Sequence, residues 1–98
     1  MFATLRQFAF LFVVVSTLTA CAGPPVQEMS DARQAIQAAE EAGAGELAPG
    51  LLQQARISLD AAEAKLEKKA YNGARRDARE ARRRASEALR VSGQSGPE

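Results

Sequence analysis

Ala74, Ala78, Ala81, Ala85 and Ala88 recur at intervals of 4, 3, 4 and 3. That spacing draws one narrow stripe along an α-helix. Leu52, Ala55, Leu59, Ala62 and Leu66 repeat at 3, 4, 3 and 4 upstream, and Met29, Ala32, Ile36, Ala39 and Gly43 do so again. Seams of this kind bring helices into close, coiled-coil-like contact. The predicted fold class is all-α.

Helix-breaking residues divide the seams. Ser30 or Asp31 supplies the side-chain oxygen expected to cap a first helix, and Gly43-Ala44-Gly45 ends it, because each glycine weakens helix by about 1 kcal/mol. Ala48-Pro49-Gly50 reads as a turn, or as a proline early in the next helix. Farther on, the register of the Leu52 seam would place Lys69 and Gly73 on its apolar stripe, and Asn72-Gly73 is a turn dipeptide. A break at 69–73 follows, giving a short helix and then an antiparallel helical hairpin within residues 30–91. The rival is one long helix stepping through 66, 70, 74 and 78. Residues 92–98 are polar and glycine-rich, a composition expected to be disordered.

The seams are poor in bulk. From residue 21 onward there are 18 alanines and about a dozen larger apolar residues. Each larger side chain contributes roughly 1.5–3 kcal/mol when buried, against roughly 1–2 kcal/mol of backbone entropy for each residue ordered. A marginal bundle is predicted, stabilised by self-association or by an envelope partner.

The first 20 residues have a different character. Arg6 is followed by the apolar run Phe8–Val15 and then by small residues, the layout of a secretory signal. The run is too short for a spanning helix, which needs about 20 apolar residues. It ends in Leu18-Thr19-Ala20-Cys21, which closely resembles the lipobox of bacterial lipoproteins. That resemblance implies cleavage between Ala20 and Cys21, a thioether-linked diacylglycerol on Cys21, and acylation of the new amino terminus. The alternative is an ordinary signal with an incidental cysteine. Cys21 is the sole cysteine and there is no histidine, so neither an internal disulfide nor a Cys/His metal site is expected. One acyl chain holds a protein only reversibly, whereas two or more anchor it stably. In Gram-negative lipoproteins an aspartate after the cysteine favours retention at the inner membrane. With Ala22 in that position, the resemblance implies the periplasmic leaflet of the outer membrane. The expected organisation is a signal over 1–20, a lipidated linker over 21–29, the helical domain over 30–91 and the tail over 92–98.

Charge is unevenly spread. Residues 21–64 hold two bases against seven acids, and residues 65–98 hold ten bases against five. Such asymmetry marks a nucleic-acid or membrane contact, or two segments that lie against each other or against another copy of the chain. A periplasmic address excludes nucleic acid. Arg75, Arg79, Arg82 and Arg83 form a strip beside the alanine seam, with Arg76, Arg83 and Arg90 at seven-residue spacing on its other flank. Guanidinium forks suit the paired oxygens of lipid phosphates or wall carboxylates. The plainer expectation is a solvated face that balances Glu80, Glu87 and the acidic first helix.

Residues 32–89 resemble an alanine-rich helical domain of bacterial envelope lipoproteins, a family of unknown function. The resemblance rests on Ala35-Ile36 with Ala39, Ala48-Pro49 before Leu52, Ala55-Arg56, Leu59, Tyr71, Ala74, Ala78 and Ala81. Some members look like two-domain proteins that continue into an OmpA-like peptidoglycan-binding module. No such module follows here within the 98 residues, and wall binding is not inherited through it. The ending Gly96-Pro97-Glu98 also differs from the C-terminal lysine by which the best-known small outer-membrane lipoprotein attaches to peptidoglycan.

No P-loop, dinucleotide fingerprint, metal spacing or activated serine occurs. Asp60 and Glu63 are suited in principle to acid–base work, without a pocket to unite them. No enzyme activity, metal or cofactor is expected. The expected function is that of a lipid-anchored helical structural or adaptor protein facing the periplasm. The alternatives are an oligomeric spacer held non-covalently at peptidoglycan and a basic helix that binds anionic lipid head groups.

Overall fold

The computed structural model describes residues 23–95. The predicted signal, its lipobox, Cys21 and Ala22 lie outside the described residues, as do positions 96–98. Four helices follow in order: α1 (Val26–Glu41), α2 (Ala44–Leu47), α3 (Pro49–Glu67) and α4 (Tyr71–Ser95). The three long helices form an up-down-up bundle in which α1 and α3 both pack along α4 and touch each other less. The expected short helix and antiparallel hairpin are present, and the rival single rod is not.

The seams meet as the spacing predicts. Ala74, Ala78, Ala81, Ala85 and Ala88 are fully buried on α4. Toward the start of α1, Met29 and Ala32 pack with Ala62, Ala78 and Ala81. At the other end Ile36 and Ala39 pack with Ala44, Ala48, Leu52, Ala55, Ala85 and Ala88. Leu59 is half-buried and packs against both groups, joining them into one core. Alanine at the five buried α4 positions from 74 to 88 lets two neighbours approach that helix closely without large side chains between them.

Helix ends depart from expectation in four places. First, α1 begins at Val26, four or five residues before the predicted caps. Pro25 stands at its N-cap with φ −80°, its carbonyl accepts the Met29 amide at 3.0 Å, and a ring-fixed φ suits a helix start. Ser30 and Asp31 instead accept hydrogen bonds from Gln34 and Gln27, 3.1 and 2.8 Å away, within the helix.

Second, Gly43 stops α1 as expected, at φ 85°, a left-handed conformation that costs glycine little. Ala44 and Gly45 then enter the single turn of α2 rather than a loop. Pro49 takes the early position in α3, the second of the two readings for it.

Third, the hairpin turns at residues 68–70, slightly before the predicted stretch. The Ala70 amide donates to the Lys65 carbonyl at 2.9 Å and the Lys69 amide to the Leu66 carbonyl at 3.0 Å. These two bonds form a Schellman motif, with Lys69 at φ 62° in the left-handed position. Asn72 and Gly73 are not the turn, since both lie in the first turn of α4. A Cβ on Gly73 would stand 3.0 Å from Lys65 Cδ, so the glycine leaves a flat spot over which the Lys65 stem crosses.

Fourth, the predicted tail is helical as far as Ser95. Ser92 is only 2% exposed because it extends the alanine stripe by the next four-residue step. Its hydroxyl is small enough for an alanine-sized slot, yet it is buried without a hydrogen-bond partner.

Candidate functional site

Six of the seven arginines of α4 divide into three groups, with Arg76 apart from them. Arg75 is largely buried, its side chain 18% exposed. It donates from Nη2 to the Gly23 carbonyl at 3.0 Å, while its Nε lies 3.5 Å from Glu28. Arg79 approaches the same carboxylate at 3.7 Å. These two residues join α4 to α1 and to the chain entering it. Arg83 and Arg84 both pair with Glu80 on their own helix, Arg84 at 2.8 Å. Arg82 and Arg90 are exposed and form no ion pair among the described residues. The continuous cationic strip foreseen in the sequence is therefore broken: Arg75 is a clamp, Arg79 is partly neutralised and Arg83 turns toward Glu80.

A shallow groove of about 290 Å³ runs between α1 and α4, lined by Gln27, Glu28, Asp31, Arg79 and Arg82. Gln27 is engaged with Asp31 and Glu28 with Arg75 and Arg79. Charges of both signs face one another across it, so it offers an anion little net attraction. Glu63 pairs with Arg33 at 3.3 Å, and Asp60 is exposed. The two proposed acid–base carboxylates are thus not united in one site. Among the described residues no group of three acidic, histidine or cysteine side chains stands ready for a metal, and no helix is long and apolar enough to cross a membrane.

Pairing between helices only partly follows the opposite charges of the two halves of the chain. Glu28 reaches from the acidic half to Arg75 and Arg79. Arg33–Glu63 and Arg56–Glu40, the latter at 2.8 Å, stay inside the acidic half, and Lys65–Asp77 stays inside the basic half. Residues 65–76, at the end where Gly23 enters, carry five bases and one acid, with Glu28 and Asp77 paired to two of those bases; residues 40–50, at the opposite end, carry three acids, of which Glu40 is paired with Arg56.

At the entry end, Lys68 and Lys69 are exposed and form no ion pair among the described residues, while Tyr71 beside them is half-buried. Arg76 is 76% exposed and only approaches Asp77, at 4.0 Å. Sequence reasoning passed over the two lysines, treating Lys69 only as a residue unfit for an apolar seam. The available signal was a pair of adjacent cations at a helix break beside the segment that enters from Cys21.

No curated protein and no solved structure is significantly similar to the chain. A family described as a domain of unknown function, DUF4398, matches residues 27–94, nearly the whole span from the first residue of α1 to the last of α4. The chain therefore belongs to the DUF4398 family, and the family's module here is the three-helix bundle.

Proposed function

We propose that the protein is a lipid-anchored lipoprotein on the periplasmic leaflet of a Gram-negative outer membrane, where the bundle acts as a helical adaptor through protein–protein contacts. The observation that carries this reading is Leu18-Thr19-Ala20-Cys21 directly after an apolar run. Its position relative to the bundle supports it. Cys21 precedes the first helical residue, Val26, by five positions, and Gly23 is already held by Arg75. A lipid on Cys21 would therefore tie the bundle close to the bilayer rather than on a long leash.

An adaptor is favoured over an enzyme because the exposed polar groups converge on no reacting centre. Val26, Leu47, Ile57 and Leu89 leave apolar surface exposed on all four helices, available to a second copy or to an envelope protein. Metabolic labelling with a palmitate analogue tests the anchor. The wild-type chain is expected to take up label and remain with membranes, and Cys21→Ser is expected to do neither. Equal labelling of the two would refute the assignment of the anchor to Cys21.

A further inference from the structure

Exposed cations gather at the end of the bundle where the chain enters it. Arg75 holds the Gly23 carbonyl, and Gly23 stands two residues after the proposed anchor in the chain, a stretch of at most about 7 Å. The α3–α4 turn lies at the same end, since Tyr71 precedes Arg75 by four residues, about 6 Å along the helix axis. Lys65 is matched by Asp77 and Arg75 by Glu28. Exposed positive charge remains on Lys68, Lys69 and Arg76, against Glu67 as the turn's one acid.

A second observation is independent of charge. Lys69 occupies a left-handed conformation, φ 62°, at the C′ position where glycine is the favoured residue. A side chain there is disfavoured by the contact of its Cβ with the backbone, and backbone strain of this kind clusters at functional sites. The fold alone would be better served by glycine.

We infer that Lys68, Lys69 and Arg76 dock on the phosphates of anionic phospholipid head groups. The bundle then stands with its α3–α4 turn on the bilayer and its acidic α1–α2–α3 connection pointing away. The 19 residues of α3 separate those ends by about 28 Å. This inference rests on the anchor at Cys21, which makes the bilayer the nearest surface to the turn. Cations within a Debye length, about 8 Å at physiological salt, each favour the docked state about fivefold at an anionic surface.

Tyr71 is the sole tyrosine and there is no tryptophan, so the turn carries its own fluorophore. The test reconstitutes the acylated full-length mature protein into vesicles bearing a head-group spin label, with and without phosphatidylglycerol. Tyr71 emission is expected to be quenched in the anionic vesicles and much less in purely zwitterionic ones. A Leu47→Tyr reporter in a Tyr71→Phe background, at the opposite end, is expected to stay unquenched. Lys68→Gln with Lys69→Gly should reduce the docked-to-free ratio about 25-fold while raising resistance to urea, so lost quenching cannot be ascribed to unfolding. Quenching that is equal in both lipids, or untouched by the double substitution, would overturn the inference. Intact mass separates the two levels: an unmodified Cys21 removes anchor and docking together, whereas an acylated chain with unquenched Tyr71 removes the docking alone.

Discussion

Leu52→Ala probes the sparse core where it has the least redundancy. Leu52 is 1% exposed, and its buried neighbours are Ile36, Ala39, Ala44, Ala48, Ala55, Ala85 and Ala88. The substitution deletes three carbons, worth about 2.4 kcal/mol at roughly 0.8 kcal/mol per buried methylene. Alanine neighbours have no side-chain rotamers with which to fill the space, so a cavity contribution remains and the total rises to about 3–4 kcal/mol. A bundle of this size has roughly 4–11 kcal/mol of stability in all, and a loss of that order lowers Tm by roughly 15–25 °C. Urea unfolding of the mature chain, followed by circular dichroism, measures the loss; Ile57→Ala, at a site 57% exposed, serves as reference. Ile57→Ala should change stability by less than about 0.5 kcal/mol. If Leu52→Ala cost under about 1 kcal/mol, or no more than the reference, the packing derived for this cluster would be wrong.

Three other substitutions test separate parts of the account. Arg75→Gln should cost about 1–2 kcal/mol, because it removes a charge-assisted hydrogen bond and leaves Glu28 with the more distant Arg79 alone; an urea midpoint equal to that of Arg82→Gln would show that the clamp contributes nothing. Ser92→Ala should raise stability by about 1 kcal/mol, since a buried unpartnered hydroxyl is removed and alanine is the better helix former. A lowered midpoint would mean that the hydroxyl has a partner. Leu59→Asp places a carboxylate where the two core clusters join, and should abolish most of the helical dichroism; an unchanged spectrum would contradict a continuous core.

The bundle was legible because alanine spacing is set by the helix itself, and the stripe from Ala74 to Ala88 is buried at every predicted position. Gly43 was legible for the same kind of local reason. Boundaries were harder where two local signals compete. Pro25 starts α1 ahead of two good capping residues, and those residues find partners one turn along the helix. Asn72-Gly73 has turn chemistry, but the break falls at Lys69, where the Ala70 and Lys69 amides close onto the Lys65 and Leu66 carbonyls and α4 begins at Tyr71. Ser92 escaped because polarity and glycine content were weighed above its place in the four-residue step after Ala88.

Of the candidate site, the arginines were visible as a count but not as a set of contacts. The pairing of Arg83 and Arg84 with Glu80 follows from helix spacing, but the partners of Arg75 and Arg79 lie far off in sequence, and only packing reveals that those two guanidiniums are already occupied. The lysine turn was hidden for the opposite reason. Its interest comes from an unfavourable backbone angle, which composition cannot display.

The mass of the amino-terminal tryptic peptide from the natively expressed protein tests the central claim most directly. A peptide running from Cys21 to Arg33 and carrying a diacylglycerol thioether is predicted. A peptide running from Gln7 to Arg33 with a free thiol would contradict it, leaving a helical bundle without the proposed lipid anchor.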